Sequence, residues 1–156
     1  MKRVIFTESI IGTDLPELDI MRIRRLLEEI EEAKRVVETI FKRTKDEFLR
    51  DVEAQYAARY AIVKIVEAAA VAGSHILEAK FNIISESYAE VFSMLAKKGV
   101  VSPSVSESFR RLTGLRNLVV HRYWDVDDSK IYDEAKGDGL GAVEKFAEEV
   151  RRYIGG

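Results

Sequence analysis

The chain has 156 residues and a formal net charge of −2, with 33% charged and 47% hydrophobic residues. This length is enough for one well-buried core and short for two, and the composition is typical of a folded helical protein rather than a disordered or fibrous one. The small net charge excludes a bulk electrostatic grip on nucleic acid, so any contact with RNA or DNA must be local.

The residue types that build disulfides and soft metal sites are scarce. The chain has no cysteine, which excludes a disulfide framework and a thiolate metal site. It has two histidines, His75 and His121, so we expect no multi-histidine metal site within one subunit and no cofactor. We find no signal-peptide pattern and no run that we judge long enough to span a bilayer, which predicts a cytoplasmic protein with no membrane contact.

Helical spacing of apolar residues dominates the sequence after a short lead-in. The pattern of residues 1–15 favours a β-strand or an irregular structure, and we predict an N-terminal extension there. One helical domain is predicted to follow over residues 16–156. The domain is predicted to be all-α, an antiparallel bundle of four to six helices. The first helix runs from Pro16 to about Lys42, the second is opened by Thr44, the third runs from Asp51 to about Ala79, the fourth is capped by Ser85 or Ser87, the fifth starts at one of Ser102, Ser104 or Ser106, and the last begins near Asp128.

Small and polar residues mark special places in this bundle. Thr44 and Glu47 have the spacing of a capping box. The alanine-rich stretch over residues 68–73 permits a close approach between two helices. Gly137 and Gly139 should weaken or bend the last helix in its middle.

Two groups of polar residues admit both a functional and a structural interpretation. His75 lies among apolar residues, where a second catalytic histidine is conceivable, but we favour a half-buried histidine satisfied by one hydrogen bond. Asp125, Asp127 and Asp128 follow one another closely, and we favour helix caps and a loop over a metal cluster.

The stretch RNLVVHRY, residues 116–123, carries most of the chemistry of the chain. Between Ser108 and Trp124 there are four arginines and no acidic residue, so the segment is locally cationic and suited to a polyanion. On a regular helix His121 lies about 140° around the axis from Arg116. Either the helix distorts near His121, or a second chain completes the site, as a symmetric dimer would do. The four arginines are Arg110, Arg111, Arg116 and Arg122.

These residue types suit the cleavage of RNA. A histidine can act as general base or acid on a ribose 2′-hydroxyl, while an arginine holds the phosphate and stabilises the charge that develops in the transition state. Neither step requires a metal, the product would carry a 2′,3′-cyclic phosphate, and DNA would resist. The alternative is that Arg116 and His121 make structural hydrogen bonds at a helix end while Tyr123 packs in the core. The spacing alone does not decide between them.

The wider sequence resembles the HepT-like branch of the HEPN superfamily over about residues 20–150. The order and spacing of many matches make this resemblance more specific than the motif alone. The matching positions are Asp51, residues 55–61, Glu67 and Ala68, His75 and Ile76, residues 87–92, Leu95, Gly99 and Val100, residues 114–123, and Tyr132.

The resemblance implies a homodimeric helical bundle that acts as the toxin of a type VII HepT/MntA-like toxin–antitoxin system, a metal-independent endoribonuclease with RNA as its substrate. Arg116 and His121 would be catalytic, and Asn117 would orient or contact the RNA. An MntA-like nucleotidyltransferase antitoxin would neutralise the toxin by transferring AMP to Tyr123. We expect Arg110, Arg111 and Arg122 to support RNA binding through their charge.

A different class of function remains open. Some HEPN relatives are non-catalytic substrate-binding subunits of a nucleotidyltransferase complex, but they usually lack an intact arginine–histidine motif, and here Arg116 and His121 are both present. We therefore favour the nuclease. A purely structural dimeric bundle would leave the arginine cluster unexplained.

Overall fold

The computed structural model describes residues 17–155, and within that range every regular element is helical. The predicted all-α bundle is confirmed. The helices are α1 (Ile20–Ile40), α2 (Lys45–Leu49), α3 (Val52–Phe81), α4 (Tyr88–Lys97), α5 (Pro103–His121), α6 (Asp128–Glu134) and α7 (Leu140–Tyr153). A 3₁₀ turn (Tyr123–Asp125) follows α5. A π-helical segment (Ala135–Gly139) joins α6 to α7 into one kinked helix, so these residues form six separate helices when α6 and α7 are counted as one. The predicted extension over residues 1–15 lies outside the described residues.

Side-chain caps fix where the helices begin. The capping box of α2 is present as predicted, with Thr44 and Glu47 bonded to each other's backbone N–H groups. Of the serines that were open as caps, the structure selects Ser87 for α4 and Ser102 for α5. The prediction that α1 begins at Pro16 was wrong. The helix begins at Ile20, and Asp19 caps it by accepting a hydrogen bond from the Arg22 N–H at 3.0 Å.

Helix α3 is the centre of the bundle, and α1, α4 and α5 pack around it. Its small residues allow close contact: a Cβ added to Gly73 would lie 2.7 Å from Leu95 and 2.8 Å from Val91 of α4. The predicted close approach at the alanine-rich stretch is therefore present. The loop after α3 carries the chain back along it, so that Tyr88 at the start of α4 reaches Glu67.

Two aromatic clusters pin the outer helices to this centre. Phe109 of α5 lies between Phe92 of α4 and Phe146 of α7, with ring centroids 4.9 Å and 4.8 Å away. Tyr132 of α6 packs edge-on against Phe41 at 5.3 Å, and its hydroxyl donates to the backbone carbonyl of Arg43 at 2.7 Å. These contacts hold both ends of the segment that contains the motif.

The kink predicted in the last helix is also present. Gly137 has non-helical backbone angles, φ −78° and ψ −113°, at the junction of α6 and α7.

Within residues 17–155, α3 is the one helix long and apolar enough to cross a bilayer, although no run was predicted to be sufficient from the sequence. Much of its apolar stretch is buried inside the bundle, which accounts for that composition and makes it weak evidence for a membrane span.

Candidate active site

The motif occupies the C-terminal end of α5 and the turn that follows. Arg116, Asn117 and His121 lie on α5, His121 is its last residue, and Tyr123 opens the 3₁₀ turn. Since α5 is helical throughout this stretch, His121 lies about 140° around the axis and about 7.5 Å further along it than Arg116. The helix ends at the motif rather than distorting within it, so one chain does not turn Arg116 and His121 to the same side.

Arg116 is held by side chains from three helices. Its Nε donates to Oε1 of Glu67 on α3 at 2.9 Å, and its Nη2 donates to the same oxygen. Its guanidinium carbon lies 4.8 Å from the ring centroid of Tyr88 on α4. Its Nη1 donates to Oδ1 of Asn117 at 2.9 Å. Because a guanidinium has five N–H donors, two N–H groups are not used by these three bonds.

The contacts of Glu67 fix the charges of this cluster. The Tyr88 hydroxyl donates to Oε2 of Glu67 at 2.6 Å. Burial acts to raise the pKa of Glu67, but the hydrogen bonds from Tyr88 and Arg116 and the charge of Arg116 outweigh it, so this pKa lies below its ordinary value. Burial and the bond to Glu67 raise the pKa of Tyr88 to about 12. At neutral pH Glu67 is therefore ionised and Tyr88 is a protonated donor.

The rest of the motif is open to solvent. His121 is exposed, and its side chain has no hydrogen-bond or ion-pair partner among residues 17–155. Tyr123 and Trp124 are 66% and 67% exposed and contact each other edge to face, with ring centroids 5.2 Å apart. The alternative that Tyr123 packs in the core is therefore wrong. The alternative that Arg116 makes structural contacts holds in part, because it is ion-paired with Glu67.

The arginine segment is not an uncompensated cationic patch. The stretch between Ser108 and Trp124 contains no acidic residue, but acidic side chains from outside that stretch reach all four arginines. The partners are Glu107 for Arg110, Glu107, Glu134 and Asp138 for Arg111, Glu67 for Arg116, and Asp125 for Arg122. Arg111 is bonded towards the α6–α7 junction and Arg116 towards α3, so they lie on different sides of α5.

The aspartates around the start of α6 and His75, which admitted two interpretations, make structural contacts. Asp127 caps α6, with Oδ1 accepting from the Ser129 N–H at 2.9 Å. Asp128 forms a two-point ion pair with Arg59 of α3, at 2.9 Å and 2.6 Å. Among residues 17–155 no group of three or more metal-ligating side chains could hold a metal ion. His75 is half-buried, and its Nε2 accepts one hydrogen bond from the Asp19 N–H at 2.8 Å, as we favoured.

Glu67 and Tyr88 are the site residues that the sequence analysis did not identify as such. Both fall within the stretches that resemble the HepT-like branch, but no role was given to either. A signal was present in the sequence, since Glu67 is the one polar residue between Lys64 and Ser74 in an otherwise apolar run. A lone acid in such a run needs a partner, because burying an unpaired charge is costly.

Known proteins resemble this chain in sequence and in fold. The chain is 29% identical over 109 residues to a tRNA nuclease HepT from Aphanizomenon flos-aquae (strain 2012/KM1/D3), covering 70% of this chain and 74% of that protein. Its fold is similar to that of a tri-AMPylated Shewanella oneidensis HEPN toxin in complex with an MNT antitoxin, with a TM-score of 0.77 and 19% identity over 84% of this chain and 97% of that one.

A second solved structure with a similar fold is YutE of Bacillus subtilis, a cytosolic protein of unknown function. Its TM-score is 0.75 with 19% identity, over 88% of this chain and 91% of that one. At such identities the likeness to solved structures shows the fold alone. The profile of the family described as ribonuclease HepT-like matches residues 26–150, most of the chain. The chain therefore belongs to the HepT-like ribonuclease family.

Proposed function

We propose that this protein is the toxin of a HepT/MntA-like toxin–antitoxin pair and a metal-independent endoribonuclease of the cytoplasm. The observation that carries the proposal is the presence, near the C-terminal end of α5, of a braced Arg116 with two further N–H donors and of a solvent-exposed His121. Membership of a ribonuclease family supports RNA as the substrate. Because a relative is named a tRNA nuclease, tRNA is the first RNA to test.

The proposed reaction is an attack by the ribose 2′-oxygen on the adjacent phosphorus. His121 takes the 2′-hydroxyl proton as the bond between the 2′-oxygen and phosphorus forms. The remaining N–H groups of Arg116 bind the non-bridging oxygens and stabilise their charge. The bond from phosphorus to the 5′-oxygen breaks, that oxygen takes up a proton, and the products are a 2′,3′-cyclic phosphate and a 5′-hydroxyl. Asn117, bonded to Arg116, would help to orient it.

Arg110, Arg111 and Arg122 have smaller parts in this proposal than their charge suggested. Each already has at least one acidic partner, and Arg111 has three, so each would bind RNA only by exchanging such contacts for a phosphate. The pairs of Arg110 and Arg122 are exposed and therefore weak, at about 0–1 kcal/mol, which makes the exchange feasible there, whereas Arg111 also contacts the partly buried Glu134 and would exchange less readily. The three arginines would therefore raise affinity for RNA without being required for cleavage.

We infer that a homodimer assembles the site. Arg116 and His121 are on different sides of α5, so a second copy whose α5 faces the first would bring its His121 to this Arg116. Exposed apolar side chains at this end of the molecule, Val120 and Trp124, favour such a contact. Mixing Arg116→Ala with His121→Ala subunits tests this. A mixed dimer regains one intact site if the site is shared, and no activity if each site lies within one chain.

Tyr123 is the proposed target of neutralisation. Its hydroxyl is accessible, and the solved complex of an AMPylated HEPN toxin with its antitoxin supports the same modification here. The tyrosine oxygen would attack the α-phosphorus of ATP on the partner nucleotidyltransferase, losing its proton and releasing pyrophosphate. The anionic AMP would then repel the RNA phosphate beside His121.

Intact mass after incubation with the cognate nucleotidyltransferase and ATP tests this modification. We expect AMP to be added to the wild type but not to Tyr123→Phe. Tyr60→Phe is the matched control and should still be modified, because Tyr60 is almost as exposed as Tyr123, at 67% against 66%. AMP on the Tyr123→Phe variant would show that another residue is the target.

Cleavage of RNA in the presence of EDTA tests the nuclease itself. The wild type should cut tRNA but not DNA, and His121→Ala and Arg116→Ala should lose at least about 100-fold in rate. His75→Gln is the matched control, because the second histidine lies elsewhere and should be dispensable for cleavage. A wild type that does not cut RNA but binds a nucleotidyltransferase stably would instead support the non-catalytic binding subunit.

A further inference from the structure

Glu67 lies on an apolar stretch of α3 and is partly desolvated, with a side chain that is 37% exposed. Its neighbours Val66, Ala68 and Ala69 are buried in α3, and burial alone acts to raise its pKa. The cost is offset by Arg116 and Tyr88, each bonded to a different oxygen of the carboxylate. All of the acceptor contacts that Glu67 makes with described residues therefore serve the Arg116 cluster.

These contacts restrict the guanidinium in direction as well as in position. Two donors of Arg116, Nε and Nη2, share Oε1 of Glu67, which fixes one edge of the guanidinium plane. The ring of Tyr88 lies against the group at 4.8 Å, and the Tyr88 hydroxyl holds the other oxygen of the same carboxylate at 2.6 Å. A long arginine side chain otherwise has many rotamers to lose when it binds a phosphate.

We propose that Glu67 is a positioning residue that acts through Arg116, with Tyr88 as its brace. The inference rests on the proposed nuclease function. By ordering the guanidinium before RNA arrives, the pair removes an entropic cost from the transition state. The carboxylate also neutralises part of the arginine's attraction for RNA. Loss of Glu67 should therefore lower kcat while changing KM little.

The main alternative is a merely structural ion pair between α3 and α5. The chain offers a matched control for it, because Glu31 of α1 is also bonded to an arginine, Arg151 of α7, and that bond does not involve Arg116. Glu31 and Glu67 have similar side-chain exposure, 35% and 37%. Glu31→Ala therefore removes a comparable ion pair without touching Arg116.

The experiment compares Glu67→Ala, Glu67→Gln and Glu31→Ala by NMR and by RNA cleavage. The Arg116 Nε–H signal, assigned by its loss in Arg116→Lys, should be protected in the wild type, Glu67→Gln and Glu31→Ala, and lost in Glu67→Ala. Glutamine keeps an acceptor for Arg116, so it restores the geometry without the charge. We expect kcat to fall about 10–100-fold in Glu67→Ala and to recover most of that loss in Glu67→Gln.

The outcomes separate this inference from the proposed function. An unchanged Arg116 signal in Glu67→Ala, an unchanged kcat, or a Glu67→Gln variant as slow as Glu67→Ala overturns the positioning role. If the signals behave as expected but the wild type does not cut RNA, the nuclease proposal fails and the brace on Arg116 stands. Tyr88→Phe keeps the ring but removes the hydroxyl, so it serves if Glu67→Ala does not fold. Its kcat should fall severalfold, and an unchanged kcat overturns the role of the brace.

Discussion

Replacing Gly73 by alanine should destabilise the protein although alanine is the better helix former. A Cβ at this position would lie 2.7 Å from Cδ1 of Leu95 and 2.8 Å from Cγ1 of Val91. Carbon atoms in contact prefer about 3.5–4.0 Å, so both contacts are overlaps of about 1 Å. Leu95 and Val91 are fully buried, and the β-branched Val91 has essentially one rotamer in a helix.

The balance of two terms gives the size of the effect. Overpacking of a core costs about 1–3 kcal/mol, and two overlaps on restricted side chains point to the upper half of that range. The gain in helix propensity from glycine to alanine is about 1 kcal/mol. The net loss should be about 1–2 kcal/mol, which for a chain of this length lowers Tm by about 2–8 °C.

Gly114 provides the matched control, because it lies inside α5 with no atom within 4 Å of an added Cβ. Gly114→Ala gains the propensity without the overlap and should raise stability by about 0.5–1 kcal/mol. Urea unfolding followed by circular dichroism measures both variants. A Gly73→Ala variant as stable as Gly114→Ala would show that α3 and α4 are not in the close contact described, and would refute the reasoning.

Two further predictions concern the polar contacts of α3. Arg59 and Asp128 form a two-point, largely buried ion pair. A double-mutant cycle with alanine at both positions should therefore give a coupling free energy of about 1–3 kcal/mol. A coupling near zero would show that the pair contributes no more than an ordinary surface ion pair. Burial and the charge of Arg22 lower the pKa of His75 below its ordinary value of 6.5, so the unfolded chain binds the proton first as pH falls. Stability from His75 is thus present above pH 6.5 and is lost below it. The loss between pH 7.5 and 5.5 should be smaller in His75→Gln, whose side-chain oxygen can still accept from Asp19, and an equal loss would contradict the assignment.

Much of the fold could be predicted because its determinants are local. The capping box at Thr44, the start of α3 after Asp51 and the kink at Gly137 each follow from residues close together in the sequence. The start of α1 was predicted too early, because Pro16 and Asp19 both suit the beginning of a helix. The hydrogen bond from the Asp19 N–H to His75 fixes Asp19 in place, and it is made with α3, which is distant in the sequence.

The electrostatics of the site could not be predicted in the same way. The arginine-rich stretch contains no acid in sequence, but Glu67 and Glu134 come from helices that only tertiary packing brings to α5. The same packing gives Arg116 its brace, so the site is a property of three helices rather than of the motif. What could be predicted was the position of Arg116 and His121 on one helix and their separation around its axis.

The most direct test of the nuclease account is the chemical nature of the cut ends. RNA incubated with the purified protein in EDTA should yield fragments that end in a 2′,3′-cyclic phosphate and begin with a 5′-hydroxyl, as read by mass spectrometry. His121→Ala should yield none. Fragments with a 3′-hydroxyl and a 5′-phosphate, or cleavage that requires an added divalent metal, would contradict attack by the ribose 2′-oxygen with His121 as the base.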